Sequence, residues 1–450
     1  MKMLCAFISL FSCFFLVVSA EDVACPTGAS SGCTCSKISD DLKVECKDND
    51  QITDIPAWIP NNTNRLEFEN CDIRILNRDS FKNLVNLTNI EIVKQSRRLT
   101  FNDSSVFQGL NRLSKVVFDD NNIASLPAGL FANLPSLETL GLNDNPLPTL
   151  PDDLLQNSPN VQTFNLANTK LDKDNITKIG EGHFGKNIQA LWISGTYIQR
   201  LKDGLFTGLP KLKALSIGNC GINFIGADIL KGTELGSITL DGNPIQSIDE
   251  NAFRGSKVPV FQCNGCQLIS SVTFNGFLKK MPALYSINLQ NNNLTHVPKN
   301  AFTELRDLSI IDLSSNLIAT IESNPYGDLP KCGTTTCIQL DNNPFNCDCN
   351  LAWLRSFADK IEGDKTSWKC VGPPSVAGKS LLSLEINAFC CGSVNSTKCG
   401  LPQPATQPTL QPTTRPTTQS DPDPNNGWIV SADGMMVAIL SQIVIMFSIP

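Results

Sequence analysis

A period constrains this chain more than any other feature. The frame L-x-x-L-x-L-x-x-N-x-L recurs through the middle of the sequence, most cleanly as Leu137-Leu140-Leu142-Asn145-Leu147 and Leu284-Ile287-Leu289-Asn292-Leu294. Its fourth position falls twelve times, at Leu66, Ile90, Val116, Leu140, Phe164, Leu191, Leu215, Ile238, Phe261, Ile287, Ile311 and Ile338, with spacings of 23 to 27 residues. Alternation at positions four and six sends two side chains inward from one short strand, and the residues between them face solvent. One such turn cannot bury its apolar face alone, so neighbours must stack with their strands parallel, about 4.8 Å apart. The fold class expected is an α/β solenoid of about twelve repeats with a parallel concave sheet. Aromatics at the nineteenth position, Phe81, Phe131, Phe206, Phe253, Phe302 and Tyr326, are expected to form a second core layer on the convex side.

The ninth position holds Asn121, Asn145, Asn243, Asn292, Asn316 and Asn343, with Thr169, Thr196, Cys71, Cys220, Cys266 and Gln95 in the other repeats. A chain turning away from a strand leaves backbone N–H and C=O groups inside, and a short amide or hydroxyl can pair with them. Cys71, Cys220 and Cys266 are therefore expected as buried, reduced substitutes, with Cys263 a small inward residue at a sixth position; a local Cys263–Cys266 link is the alternative.

Eighteen cysteines point to an oxidising compartment. Lys2, the apolar run from Leu4 to Val18 and the small-x-small Val18-Ser19-Ala20 predict a secretory signal over 1–20, which removes Cys5 and Cys13. At the other end, Asn425-Asn426-Gly427, a short spacer and the apolar tail from Met435 to Pro450 predict a glycosylphosphatidylinositol attachment signal over 428–450. Asn425 is the expected attachment site and Ser431 a second candidate; the competing reading is a short transmembrane helix, for which the tail is short and lacks flanking bases. Residues 400–427, rich in Pro, Thr and Gln, cannot bury a core and read as an extended, O-glycosylated stalk.

Open solenoid ends need caps, and cysteines cluster there. Cys25, Cys33, Cys35 and Cys46 precede the repeats, followed by Ile55-Pro56-Ala57-Trp58-Ile59-Pro60; Asn343-Pro344-Phe345-Asn346-Cys347-Asp348-Cys349 and Trp368-Lys369-Cys370-Val371-Gly372-Pro373-Pro374 close them. These segments resemble the N- and C-terminal caps of extracellular leucine-rich-repeat proteins, whose fold is a horseshoe with disulfide-capped ends. The resemblance covers residues 25 to about 391 and implies caps at 21–62 and 346–399 around repeats at 63–345. It implies the pairs Cys25–Cys35, Cys33–Cys46 and Cys347–Cys370, with Cys349 bonded to Cys390 or Cys391, of which Cys391 is the expected partner, and the other of these to Cys399. A Cys332–Cys337 bridge is expected just ahead of the C-terminal cap.

Function must then come from surfaces. Positions three, five, seven and eight of the frame face the concavity, where nine acids stand against three bases, mostly on the first four repeats. Trp192 stands among small polar residues near the centre, and such an aromatic is a frequent binding hot spot. The expected ligand-binding residues are Trp192, Asn165, Thr163, Ser216, Asn143, Glu91 and Asp119. Six sequons, Asn61, Asn86, Asn102, Asn175, Asn293 and Asn395, all avoid the concave positions, so glycans are expected on the flanks and convex side.

A net charge of −7 disfavours nucleic acid as the main partner. His183 and His296 lie too far apart to share a catalytic relay, Cys347-x-Cys349 reads as a disulfide cap, and Asp48-Asn49-Asp50 lacks the rest of a calcium loop. No catalytic residue, cofactor or metal is expected. The leading expectation is a cell-surface recognition receptor for a protein or glycan, anchored in the outer leaflet and acting through a co-receptor. Within the family, the caps, stalk and anchor signal resemble variable lymphocyte receptors, which are antigen receptors. Adhesion or guidance proteins of the Slit or Nogo-receptor type share the architecture and form the second reading; a structural surface-coat protein is the third.

Overall fold

The computed structural model describes residues 21–274, 276–322, 338–358 and 367–389. The signal segment, Tyr326, the Cys332–Cys337 pair, Cys390, Cys391, Cys399, Asn395, the stalk, Asn425, Ser431 and the apolar tail lie outside the described residues.

Fifteen strands form one sheet whose spatial order follows the sequence. The first two pairings, Glu21–Val23 with Cys33–Ile38 and the latter with Asp41–Asn49, are antiparallel; each later one is parallel. The fourth frame positions meet one another directly from Leu66 to Ile90, through Phe164, Leu191 and Leu215, to Ile311 and Ile338. Register is this strict because a slip of one residue would turn the whole buried set outward. The sheet also gains a turn that the twelve frames omit. Val44 pairs with Leu66, so Leu42, Val44 and Cys46 of the cap occupy inward positions, and Asn49 stands where a ninth position would be.

Phe81, Phe131, Phe206, Phe253 and Phe302 are buried, and Phe107 joins the layer between Phe81 and Phe131 at ring distances of 5.8 and 5.5 Å. Helix is sparse. The 27-residue span from Phe164 to Leu191 accommodates its extra length in the helix Lys173–Gly180, capped by Asp172; most other convex arms are turns and two-residue strands, because a spacing near 24 leaves little chain for a helix. The expected α/β class is thus met mainly by its β part.

The turn that ends each strand is the most repeated piece of geometry. The eighth frame position has positive φ in all twelve repeats, from 52° at Asn70 to 73° at Gly195. Asn, Asp and Gly tolerate this conformation best, and they occupy most of these sites. At Gly195 and Gly242 glycine is further required by space, since an added Cβ would lie 2.0 Å from the Oδ1 of Asn168 and of Asn219, respectively. The conformation turns the ninth side chain inward. Asn145 Oδ1 accepts from the N–H groups of Asn121 (3.1 Å) and Ile123 (2.9 Å), while its Nδ2 donates to the carbonyls of Phe118 (2.8 Å) and Leu142 (2.9 Å). Asn243 repeats the pattern with Cys220, Ile222 and Ile217.

The thiols of Cys71 and Cys220 are free and buried. Burial pushes Cys220 up to about 11, and its Sγ donates to the carbonyl of Ile193 (3.2 Å) as an amide would. Cys263 and Cys266 correct the expectation of reduced residues, for they form a disulfide. Positions six and nine both point inward across one turn, and their Cα atoms are 5.5 Å apart, within the span of such a bond. The ends carry Cys25–Cys35, Cys33–Cys46 and Cys347–Cys370. Cys349 departs from the expected bridge to Cys391: it is a free thiol whose Sγ donates to the carbonyl of Phe389 at 3.1 Å.

Replacing Asn145 by Ala strands two N–H donors and several carbonyls inside the protein, each costing about 1–3 kcal/mol. Urea unfolding should show a loss of about 3 kcal/mol for Asn145→Ala, whereas Asn111→Ala at an exposed site should change stability by under about 0.5 kcal/mol. Equal losses would remove the ladder from its structural role.

Candidate functional site: the concave face

The strict register places the outward positions of neighbouring repeats side by side. Glu91, Asp119, Asn143, Asn165, Trp192 and Ser216 form a run, one residue in each of repeats two to seven, with Thr163 on the same strand as Asn165. Trp192 lies in register between Asn165 and Ser216, so the frame does not slip at the 27-residue repeat. Its indole is partly accessible. Asn165 Nδ2 donates to Asn143 Oδ1 at 2.8 Å, and the hydroxyls of Ser216 and Ser194 lie 2.8 Å apart.

At the N-terminal end, the extra cap turn changes the electrostatics expected from the twelve frames. Lys43 and Lys47 share the face with the acids of repeat one, with Lys43 2.7 Å from Glu67 and Lys47 2.9 Å from Glu45. Lys94 pairs with Glu69 and Lys115 with Glu91, at 3.0 and 2.7 Å. Hydrogen bonds from Lys94 and the neighbouring charges hold Glu69 below the usual carboxylate range despite some burial. This end is an ion-paired mesh. Paired side chains of opposite sign present little net field, and such exposed pairs are individually weak.

Beyond it the character changes. From repeat four to repeat twelve the third, fifth, seventh and eighth positions contain no Lys, Arg or His. They are mostly amides, hydroxyls and glycines, with Asp144, Asp241, Asp312 and Asp341 as the acids. Asp119 stands at the border of the two regions. Burial pushes its carboxyl up to about 7; the Asn143 N–H at 3.1 Å opposes the shift, and Asp144 and Glu91 add to it. Gly141 makes room for this carboxylate, because a Cβ there would sit 2.9 Å from Asp119 Oδ1.

The frame alone does not reveal one prominent aromatic. Tyr197, just beyond the ninth position of the Trp192 repeat, is 68% exposed. Its ring lies over Gly221, where a Cβ would approach it to 3.1 Å. The signal was a glycine at the tenth position of the next repeat.

Asn175 corrects the glycosylation expectation. It is buried on the helix Lys173–Gly180, its Oδ1 accepts from Leu150 N–H at 2.9 Å and its Nδ2 donates to Asp172 at 2.8 Å. Both polar atoms of that amide are thus engaged within the protein. Asn61, Asn102 and Asn293 are exposed and Asn86 partly so, all off the concave positions. His183 lines a convex cleft of about 310 Å³ with Asp152, Asp153, Leu155, Gln156 and Phe184.

A parallel solenoid with an amide ladder at each strand exit and an open inner sheet defines a class. A leucine-rich repeat profile matches residues 92–147, 111–171 and 282–332, and a BspA-type leucine-rich repeat profile of six copies matches 163–280, together more than half of the chain. The chain belongs to the leucine-rich-repeat proteins. Curated relatives include leucine-rich repeat and fibronectin type-III domain-containing protein 4 of Rattus norvegicus, 32% identical over 117 residues (25% of this chain, 18% of that protein). Leucine-rich repeat transmembrane protein FLRT2 of Mus musculus is 25% identical over 251 residues, 53% of this chain and 36% of that protein. Transforming growth factor beta activator LRRC33 of Danio rerio is 25% identical over 197 residues, 43% of this chain and 27% of that protein. The chain therefore spans well under half the length of these relatives. Among solved structures, a chain of the Toll–Spatzle complex of Drosophila matches with a TM-score of 0.56 at 18% identity, covering 76% of this chain and 50% of that one, a likeness of fold.

The raised Asp119 carboxyl sets a pH dependence. A carboxyl that binds its proton more tightly folded than unfolded stabilises the fold less as pH rises from about 4 through 7. Asp119→Asn keeps an acceptor for the Asn143 N–H and removes the charge. Thermal unfolding should show the variant about 1–2 kcal/mol more stable than the parent at pH 8 and close to it at pH 4; a difference independent of pH would refute the buried-charge account.

Proposed function

We propose that this is a non-enzymatic, extracellular recognition protein that binds a protein or glycan ligand on its concave face, between repeats two and seven, with Trp192 as the anchor. The observation that carries the reading is the placement of Trp192 on the strand face, in register between Asn165 and Ser216. A large flat side chain on a sheet of small polar neighbours buries much area on contact at little entropic cost. The ring of polar residues around it, Thr163, Asn143 and Ser194 included, can exclude water at the rim of such a contact. Disulfides at both ends of the repeats fit an oxidising compartment. Toll, a fold neighbour, is solved in complex with Spatzle, and LRRC33 is described as an activator of transforming growth factor beta; a protein ligand agrees with both.

The same reading includes a lipid anchor at Asn425, with signalling left to a co-receptor. Phosphatidylinositol-specific phospholipase C should release the protein from intact cells; retention on the membrane would favour a spanning tail. An ectodomain screen against cell-surface and secreted proteins and glycans should return a ligand, for which Trp192→Ala weakens binding by about fivefold or more, the equivalent of about 1 kcal/mol. Affinity unchanged by that substitution would move the site off the centre of the sheet.

A further inference from the structure

The turns that lead into the strands form a second continuous surface. Each consists of the six residues ending at the second frame position, and successive turns are tied by backbone bonds. Thr88 N–H donates to the Asn64 carbonyl (2.8 Å), Lys213 to Gln189 (2.7 Å), Gly236 to Lys213 (2.7 Å) and Ser309 to Tyr285 (2.8 Å). They therefore run as one edge along the solenoid.

Its chemistry changes midway. The first five turns, 59–64, 83–88, 109–114, 133–138 and 157–162, contain one base, Arg112, and one acid, Glu138, among many asparagines, and include the sequons Asn61 and Asn86. The next six, 184–189, 208–213, 231–236, 254–259, 280–285 and 304–309, carry eight bases against three acids in a chain whose net charge is −7. Arg254 is neutralised by Asp228 at 2.7 Å, and Glu304 by Lys279 at 3.0 Å. Lys186, Lys211, Lys231, Lys257, Lys280 and Arg306 are all exposed and make no ion pair with another described residue; the acids of these turns outside an ion pair are Glu234 and Asp307, and the exposed Glu181 backs onto the second turn at Gly208. At about 4.8 Å per stacked turn, six turns make a basic file roughly 25 Å long.

We propose that this edge is a binding surface for a linear sulfated polysaccharide, separate from the concave site. Isolated surface bases are ordinarily just solvated; here six consecutive turns each supply at least one, while the adjoining concave positions of the same repeats supply none. A narrow file matches an extended anionic chain lying along the edge better than a flat bilayer, which would need bases spread across an area. Sulfates on successive sugars can each approach a lysine while staying hydrated, and attraction of this kind raises both encounter rate and affinity. Sequons are absent from these six turns, and Asn293 lies at the opposite end of its strand, so N-glycans leave the strip open.

The test is titration of the full-length protein with heparin, alongside dextran, hyaluronate, duplex DNA and phosphatidylserine vesicles. Heparin should bind, with log affinity falling linearly against log salt. The triple variant Lys211→Gln, Lys257→Gln, Lys280→Gln should lose at least tenfold and flatten that slope by about two to three, as expected from losing three ionic contacts. The control triple Lys170→Gln, Lys173→Gln, Lys202→Gln, equal in charge but outside these turns, should change binding by less than twofold. Trp192→Ala should leave heparin affinity unaltered, which separates this surface from the concave site. Lysine-to-arginine replacement at the three strip positions should keep binding and guards against misfolding of the glutamine variant. No heparin binding at low salt, equal loss in both triples, or equal affinity for DNA, vesicles or hyaluronate would overturn the proposal.

Discussion

The structure depends on satisfying the backbone where each strand ends. At that point the chain must leave a sheet already buried on its inner side, and its N–H and C=O groups cannot reach water. A buried donor left unpaired costs about 1–3 kcal/mol, so repeated turns without an answer would exceed the whole stability of an ordinary domain. The answer has two linked parts. Positive φ at the eighth position turns the chain, and the ninth side chain then bonds both its own turn and the preceding one. Because each amide bridges two repeats, the ladder also fixes repeat-to-repeat register. Cys220 preserves part of this role with its thiol, and the Cys263–Cys266 disulfide replaces it with a covalent closure of the same turn.

Once the interior is fixed by stacking, the sequence is free mainly at positions the ladder and core do not use. Those are the concave positions and the lead-in turns, and both divide along the solenoid. The concave face is an ion-paired mesh near the N-terminal cap and free of bases from repeat four onward. The lead-in edge is rich in asparagine through its first five turns and basic over the next six. Neither pattern serves the fold, since glycine, serine and asparagine fill equivalent positions elsewhere in the same solenoid.

The sequence made the solenoid legible because its apolar positions recur at a period the core enforces. All twelve fourth positions meet in register. Val44 was hidden because its turn has cysteine where a repeat has leucine and lies among cap cysteines that draw the reading toward disulfides; Asn49, at its ninth position, was the available signal. Asn175 shows a different limit. A sequon is three residues of local pattern, whereas its burial follows from the helix that the 27-residue repeat inserts and from a bond to Leu150 on the preceding turn. Cys263 and Cys266 both read as inward-facing from the frame, yet spacing alone does not say whether two inward thiols three residues apart are joined. Asp119 and Tyr197 depend on neighbours in adjacent repeats, Gly141 and Gly221, whose missing side chains make room for them. Such information is long-range in sequence and adjacent in space.

Segregation of charge separates the two surfaces electrostatically. An anionic polymer drawn to the lead-in edge meets no base on the neighbouring concave positions of the same repeats, so it has no electrostatic reason to spread across the sheet. A ligand on the concave face, conversely, meets amides, hydroxyls and scattered carboxylates, which penalise an acidic partner and leave a neutral or basic one free to approach. Trp192 and the lysine file belong to overlapping repeats but to different positions within each turn. Simultaneous binding to a polymer and a second partner would then raise the local concentration of each for the other without any change of shape, because a linked second site acts through effective concentration alone. The repeat itself makes this arrangement cheap: one turn carries both a strand face and a lead-in edge, and stacking extends both surfaces by the same step.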